Sequence, residues 1–136
     1  MNLKVWRQSG RLSVANVFTT VGKGQNTGRL TGGVTTTNNQ GAWGTGAGTA
    51  AVTDTTLFTE ASEARVTATL TQQLVNVAND TFQMVYTLVA NGTKTITNAG
   101  VFDAATVGNL FVKGDHAGIP LLINDSIAYT FKLTFA

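Results

Sequence analysis

The chain has 136 residues, no cysteine and a net charge of +2, and only 12% of its residues are charged. That length suits one domain with a sizeable core. The lack of cysteine excludes a disulfide framework or a thiolate metal site, so burial, backbone pairing or association with further copies must hold the fold. Threonine, asparagine and glycine do most of the surface solvation, and the branched Cβ of threonine favours extended backbone, which sets an all-β class.

Charge is segregated along the chain. Lys4, Arg7, Arg11, Lys23 and Arg29 precede Asp54 with no acid among them, whereas Arg65, Lys94, Lys113 and Lys132 face seven acids from Asp54 onward. Blocks of opposite sign suit docking of the first part on an acidic surface, including the second half of a neighbouring copy. The basic residues form no cluster interleaved with aromatics, so nucleic acid is not an expected partner. The first ten residues lack the apolar core of a signal peptide, and no stretch nears the roughly 20 apolar residues of a membrane helix. A soluble product with no membrane partner and no usual secretion route is the expectation.

In chain order, Leu3 to Arg7 and Leu12 to Val21 read as two strands about a Ser9-Gly10 turn, with Leu12, Val14 and Phe18 on one face. Residues 22–48 are dense in glycine, threonine and asparagine, and that composition predicts an extended arm that becomes ordered against a neighbour. Trp6 and Trp43 lie where little local core is expected, so both join the five basic residues as interface candidates, since binding hot spots favour tryptophan. Capping the ends of a sandwich is the other use open to them. Residues 1–52 are accordingly read as docking arm and strands, and 53–136 as the body.

Asp54 can cap a short helix carrying Leu57, Phe58 and Ala61 on one side. Arg65 to Leu74 then alternates, with Val66, Ala68 and Leu70 on one face, as a half-buried strand requires. Thr81 to Ala90 alternates more strongly through Phe82, Met84, Tyr86, Leu88 and Ala90. Asn91-Gly92 follows at once, and that dipeptide between extended runs predicts a tight hairpin over Phe82 to Ile96. Asn98-Ala99-Gly100 interrupts the next strand, a small-residue loop spans 103–108 before Leu110 to Val112, and a second loop spans 114–118. Pro120 suits a strand start or edge. After an Asn124-Asp125 turn, Ile127, Tyr129, Phe131, Leu133 and Phe135 all read as inward, on a strand about 30 Å long that belongs inside a sheet.

Little in this chain can carry chemistry. His116 is the only histidine; without a second histidine or a cysteine a zinc site is not built, and Asp115-His116 between glycines reads as a solvated turn. Glu60 and Glu63 could share a helix face, but they read as surface or as partners of Arg65 and not as a hydrolytic pair. The glycine runs lack the Gly-Lys-Ser/Thr of a phosphate loop. No catalytic, cofactor or metal residue is assigned, and the chain is not expected to be an enzyme.

The stretch Ile96-Thr97-Asn98-Ala99-Gly100-Val101-Phe102-Asp103-Ala104, followed by Asn124-Asp125-Ser126-Ile127 and the alternating terminal strand, resembles a family of short bacteriophage virion proteins and tail-fibre-like modules. Thr53-Asp54-Thr55-Thr56-Leu57 with Glu60 and Arg65 is similar to that family too. The resemblance covers about a third of the chain and does not reach the first fifty residues. It implies a small antiparallel β-sandwich, jelly-roll-like and often trimeric, that serves as a part of the phage particle without catalytic residues or cofactors. A capsid decoration or cement protein, partnered by the major capsid protein and by its own copies, comes first. A tail or tail-fibre-associated protein comes second, and a carbohydrate-binding sandwich, using Trp43 and the Asn/Thr-rich loop to stack and hydrogen-bond sugars, third.

Overall fold

The two strongest alternating runs become neighbours in one sheet. In the computed structural model, which describes the backbone of residues 2–7 and 10–135 and the side chains of residues 16–135, Thr81–Val89 (β6) pairs antiparallel with Ser126–Thr134 (β9). Their register sets Met84 opposite Phe131, Tyr86 opposite Tyr129 and Leu88 opposite Ile127, all buried. Asn2–Arg7 (β1) flanks β9 on the other side, so β9 is an inner strand. Thr69–Gln73 (β5) borders β6, and the first residues of Gly10–Phe18 (β2) pair with β1.

A second sheet faces the first. Lys94–Phe102 (β7) pairs on one side with Gln40–Gly44 (β3) and on the other with Leu110–Leu121 (β8), and Val66–Thr67 (β4) borders β3. The architecture is an all-β antiparallel sandwich with one short helix, Thr20–Leu30 (α1), among the described residues. Its core draws on both sheets, including Trp43, Ile96, Val101, Phe111 and Ile119 from one and Met84, Tyr86, Tyr129 and Phe131 from the other. Tyr86 crosses the gap: its hydroxyl lies 3.0 Å from each of the Ala42 and Gly100 carbonyl oxygens, which belong to partnered residues of β3 and β7.

Both margins of the sandwich turn over into the opposite sheet. Residues of β2 up to Ala15 pair with β1, whereas Asn16, Val17 and Phe18 pair with β8. On the other margin, β4 belongs to the second sheet and β5 to the first, with only Ala68 between them; the Ala68 N–H is donated to the Asn39 carbonyl at 2.6 Å. Strands that change sheet make the corners of such sandwiches, and here they nearly close a flattened barrel. The predicted strand over 65–74 therefore has the expected inward set of Val66, Ala68 and Leu70 but is split at a corner.

Several sequence expectations are corrected. No β6–β7 hairpin exists, because the two strands lie in opposite sheets and Ala90–Thr93 carries the chain between them. Asn91 and Gly92 have ordinary negative φ; the left-handed turn residue in this region is Asn124, at φ 72°. The true hairpin joins β7 and β8 through residues 103–109; Asn98, Ala99 and Gly100, expected to interrupt the strand, are paired on both sides, and the bulge lies just before them, between Ile96 and Asn98. Residues 114–118 are strand, and Pro120 sits where β8 pairs on one side only, among the described residues. Phe135 is 52% exposed, so the inward alternation ends at Leu133.

The helix lies in the segment read as an arm, and the segment read as a helix has none. Asp54 does not cap a following turn: its carboxylate accepts the Lys113 ammonium at 2.8 Å and the Ala51 N–H at 3.1 Å. Leu57 instead joins Ala42, Phe102 and Leu110 in a small cluster on the face of the second sheet opposite Trp43. In α1, Thr19 is the cap; its hydroxyl accepts the Gly22 N–H at 2.9 Å and donates to the Leu110 carbonyl at 2.6 Å. Gly22 is obligatory for docking, since a Cβ there would strike the Phe111 carbonyl. The strands expected at the N-terminus are present as β1 and β2, but β2 ends at Phe18, and Thr20 and Val21, expected in that strand, open α1. Ser9 of their turn and the side chains of Leu12 and Val14 lie outside the described residues.

Candidate functional site

Of the seven interface candidates, Lys4, Trp6, Arg7 and Arg11 are backbone neighbours on the paired β1 and β2, whereas Lys23 and Arg29 stand on α1 and Trp43 on β3. Lys4, Trp6 and Arg7 stand on β1 and Arg11 on β2, with Lys4 opposite Thr130 and Trp6 opposite both Ala128 and Arg11; their side chains lie outside the described residues. Lys23 is exposed on α1. Arg29 is half-buried, and its guanidinium donates twice to the Thr36 carbonyl, at 3.0 and 2.6 Å. Trp43 is corrected as a surface anchor. It is 1% exposed, packs in this chain's own core, and donates its indole N–H to Glu63 Oε2 at 3.0 Å. The glycines around it misled the reading: Gly41 lets the Tyr86 ring lie against β3, and Gly44 admits the Phe58 carbonyl and the Asn98 amide.

The titratable groups serve the fold. Glu63, whose side chain is almost wholly buried, also accepts the Asn91 N–H at 3.0 Å and the Lys94 ammonium. Burial would raise its pKa, but the Asn91 N–H, Lys94 and Trp43 together outweigh that and pull it down to about 2. Glu60 holds Arg65 through two parallel bonds of 2.7 and 2.9 Å, and Arg65 lies 3.5 Å over the Phe102 ring. His116 is corrected from a solvated turn to an interior position. Its Nδ1 lies 2.8 Å from the Ala117 carbonyl and its Nε2 3.3 Å from the Tyr129 hydroxyl, and burial lowers its pKa. Among the described residues no group of three or more His, Cys, Asp or Glu could hold a metal, and no helix is long and apolar enough to cross a membrane.

Two ends of the sandwich display aliphatic side chains instead. At the end where β6 finishes and β9 begins, Leu122 and Ile123 are 64% and 61% exposed beside the exposed Val89. The turn that carries them is fixed: the Leu122 N–H is donated to the Asp125 carboxylate at 2.8 Å, and the Asn124 N–H to the Ala90 carbonyl at 2.8 Å. At the opposite end Leu74, Val75, Val77 and Phe135 are exposed. Asp80 organises that tip. Its carboxylate accepts the N–H groups of Val75, Asn76 and Val77 at 2.7–3.0 Å, which with the Thr81 hydroxyl hold its pKa at about 2 against the opposing pull of desolvation. Eight residue steps of β6 separate the tips, roughly 25 Å.

A polar cleft of about 280 Å³ opens between α1, the 33–36 segment and the β7–β8 loop. Asp103 orders one wall, accepting the Asn109 N–H at 2.6 Å, the Asn109 amide at 3.0 Å and the Gln25 amide at 2.6 Å. Arg65 ties the same loop down by donating to the Ala104 and Val107 carbonyls at 2.8 and 2.7 Å. Sequence reading had no signal for this cleft, because it joins residues 78 positions apart. Comparison with known proteins finds no matching family model, no matching curated protein and no matching solved structure.

Proposed function

We propose that this chain is a non-enzymatic structural component of a bacteriophage particle, assembled in the bacterial cytoplasm, and in first place a decoration protein that bridges neighbouring capsid subunits. The observation that carries the proposal is the pair of aliphatic tips. Turns are normally built from Gly, Asn, Asp and Ser, and a turn held rigid by Asp125 and Asn124 gains nothing in folding from showing Leu122 and Ile123 to water. Two such tips about 25 Å apart on one closed sandwich give a single molecule two separate contact patches, which is what a bridge needs. The basic residues Lys4, Arg7, Arg11 and Lys23 would meet acidic ground on the shell or on a second copy in a trimer.

A tail or tail-fibre-associated role is the second reading, and the family resemblance favours it equally. The carbohydrate reading loses the stacking platform it assumed, because Trp43 is interior. Copy number in purified particles separates the first two: a decoration protein gives a gel band approaching that of the major capsid protein, and a faint band ends the cement reading. The double variants L122D/I123D and L74D/V77D, both on exposed positions, should fold as the parent does and fail to add to particles that lack the protein. Normal addition by both would remove the tips from the argument.

A further inference from the structure

The chain holds a single Asn-Gly pair, Asn91-Gly92, and the fold leaves it open to a reaction with itself. The pair lies in neither sheet; it carries the chain across from β6 to β7, with the Asn91 side chain exposed. Among the described residues the Gly92 N–H has no acceptor, and a Cβ built on Gly92 would meet nothing within 4 Å. With no side chain, Gly92 leaves its own backbone nitrogen unshielded and free to turn toward the Asn91 carboxamide.

The other exposed asparagines of the described residues are closed to such a reaction. After Asn76 the Val77 N–H is donated to the Asp80 carboxylate at 3.0 Å, after Asn79 the Asp80 N–H to the Val77 carbonyl at 3.3 Å, and after Asn124 the Asp125 N–H to the Leu122 carbonyl at 3.1 Å. Asn109 is followed by Leu110, which is buried and paired in β8. The Asn91 carboxamide, by contrast, is held at both ends in a way that suits attack on its carbon. Its Oδ1 accepts the Lys94 ammonium at 2.7 Å, which puts a cation where negative charge gathers in the attack, and its Nδ2 donates to the Ser62 hydroxyl at 3.1 Å.

We infer that Asn91 is a self-modifying residue, converted with time to a mixture of aspartyl and isoaspartyl linkages by the backbone nitrogen of Gly92. Hydroxide removes the Gly92 amide proton, the nitrogen forms a bond to Cγ of Asn91, and Lys94 steadies the oxyanion. The Cγ–Nδ2 bond then breaks, and the nitrogen leaves as ammonia with a proton relayed from water through the Ser62 hydroxyl, which regenerates hydroxide. Water opens the resulting five-membered imide at either of its carbonyls. The product sets a new carboxylate beside Glu63, which already holds the Asn91 N–H and Lys94, and the net charge falls by one from +2. An isoaspartyl linkage also lengthens the main chain by one atom directly after Ala90, whose N–H and carbonyl hold Asp125 and Asn124. The end that shows Leu122 and Ile123 therefore changes with the age of the molecule, and the chemistry stands or falls independently of the bridging role.

The test is incubation of the full folded chain over several weeks at neutral and at mildly alkaline pH, in ordinary water and in water enriched in oxygen-18, followed by mass spectrometry of the chain and its peptides. The peptide that holds residue 91 should gain about 1 Da as nitrogen is exchanged for oxygen, and the heavy isotope should enter at that position. Both linkages should be present, the gain should be faster at the alkaline pH, and Asn76, Asn79, Asn109 and Asn124 should keep their mass. G92A fits the open space around Gly92, so it should fold as the parent does and slow the gain roughly tenfold, because its methyl group hinders the attacking nitrogen. A residue 91 that keeps its mass, an equal gain at the other exposed asparagines, or a G92A chain that reacts as fast as the parent would overturn the assignment.

Discussion

Replacing Gly41 by alanine sets one methyl group against the ring that joins the two sheets. An added Cβ would lie 2.6 Å from Cδ1 of Tyr86 and closer still to Cγ and Cδ2. The ring cannot retreat, because it is stacked between Tyr129, with centroids 5.3 Å apart, and Phe131, 6.2 Å away, in a core with no exposed side. Overpacking of this kind costs about 1–3 kcal/mol. Displacing the ring also pulls its hydroxyl from the Ala42 and Gly100 carbonyls, adding about 0.5–1.5 kcal/mol. A total of about 2–4 kcal/mol corresponds to a fall in melting temperature of roughly 6–12 °C for a chain of this size. Urea unfolding followed by circular dichroism reads the loss, and a cycle with Y86L isolates its cause. In the Y86L background, where no ring opposes residue 41, G41A should cost less than about 1 kcal/mol. An equal penalty in both backgrounds, or none in either, would refute the close approach of Tyr86 to β3.

Three further outcomes follow from the buried charges. K113A should destabilise the chain by about 3 kcal/mol by urea unfolding, because it strands Asp54, removes the ammonium that lies 3.1 Å from the Phe58 ring centroid and empties a fully buried site; K113M strands Asp54 equally but keeps the volume, so it should recover only the packing share of that loss. His116 has a lowered folded pKa, so the unfolded chain takes up its proton first as pH falls: stability is full above about 6.5 and declines below it. H116Q should flatten the fall in unfolding free energy as pH drops below about 6.5. Glu63, held at about 2 against an ordinary 4.5, contributes stability that is present above 4.5 and is lost as pH falls toward 2. After solvent screening that contribution is about 1–2 kcal/mol, and E63Q should lose it at neutral pH while removing the slope between pH 4.5 and 2 in acid titrations.

The parts of the fold legible in the sequence are those fixed by a period of two. Met84, Tyr86, Leu88 and Ala90, and Ile127 to Leu133, lie inward because alternate side chains on a strand share a face whatever the strand pairs with. Pairing partners were less legible. Asn91-Gly92 carries the composition of a tight turn, but Asn91 is occupied by Glu63, Ser62 and Lys94, groups about thirty positions or three residues away. The helix was missed because Gly22, Gly24 and Gly28 lower its intrinsic propensity; Gly22 and Gly28 are needed for close approach to Phe111 and Val34. Glycine density was read as freedom where it marks crowding. Of the interface candidates, Lys23 is exposed and Trp43 interior, a difference the sequence did not carry, and the aliphatic tips were invisible because a turn's exposure depends on which sheet ends there.

The corners where β2 and the 66–73 segment pass from one sheet to the other bear on how the protein behaves before it meets a partner. At high concentration a sheet that ends in a long bare strand recruits its like into fibrils. Here the corners shorten the free margins, so that the end strand β5, paired with β6 alone among the described residues, offers only the five residues Thr69–Gln73. The stretch of β8 left paired on one side, Asp115–Leu121, contains Pro120, which has no N–H to give a newcomer. Edge-to-edge strand addition along that stretch is thereby disfavoured, which leaves a concentrated solution of this chain one fewer route to fibrils.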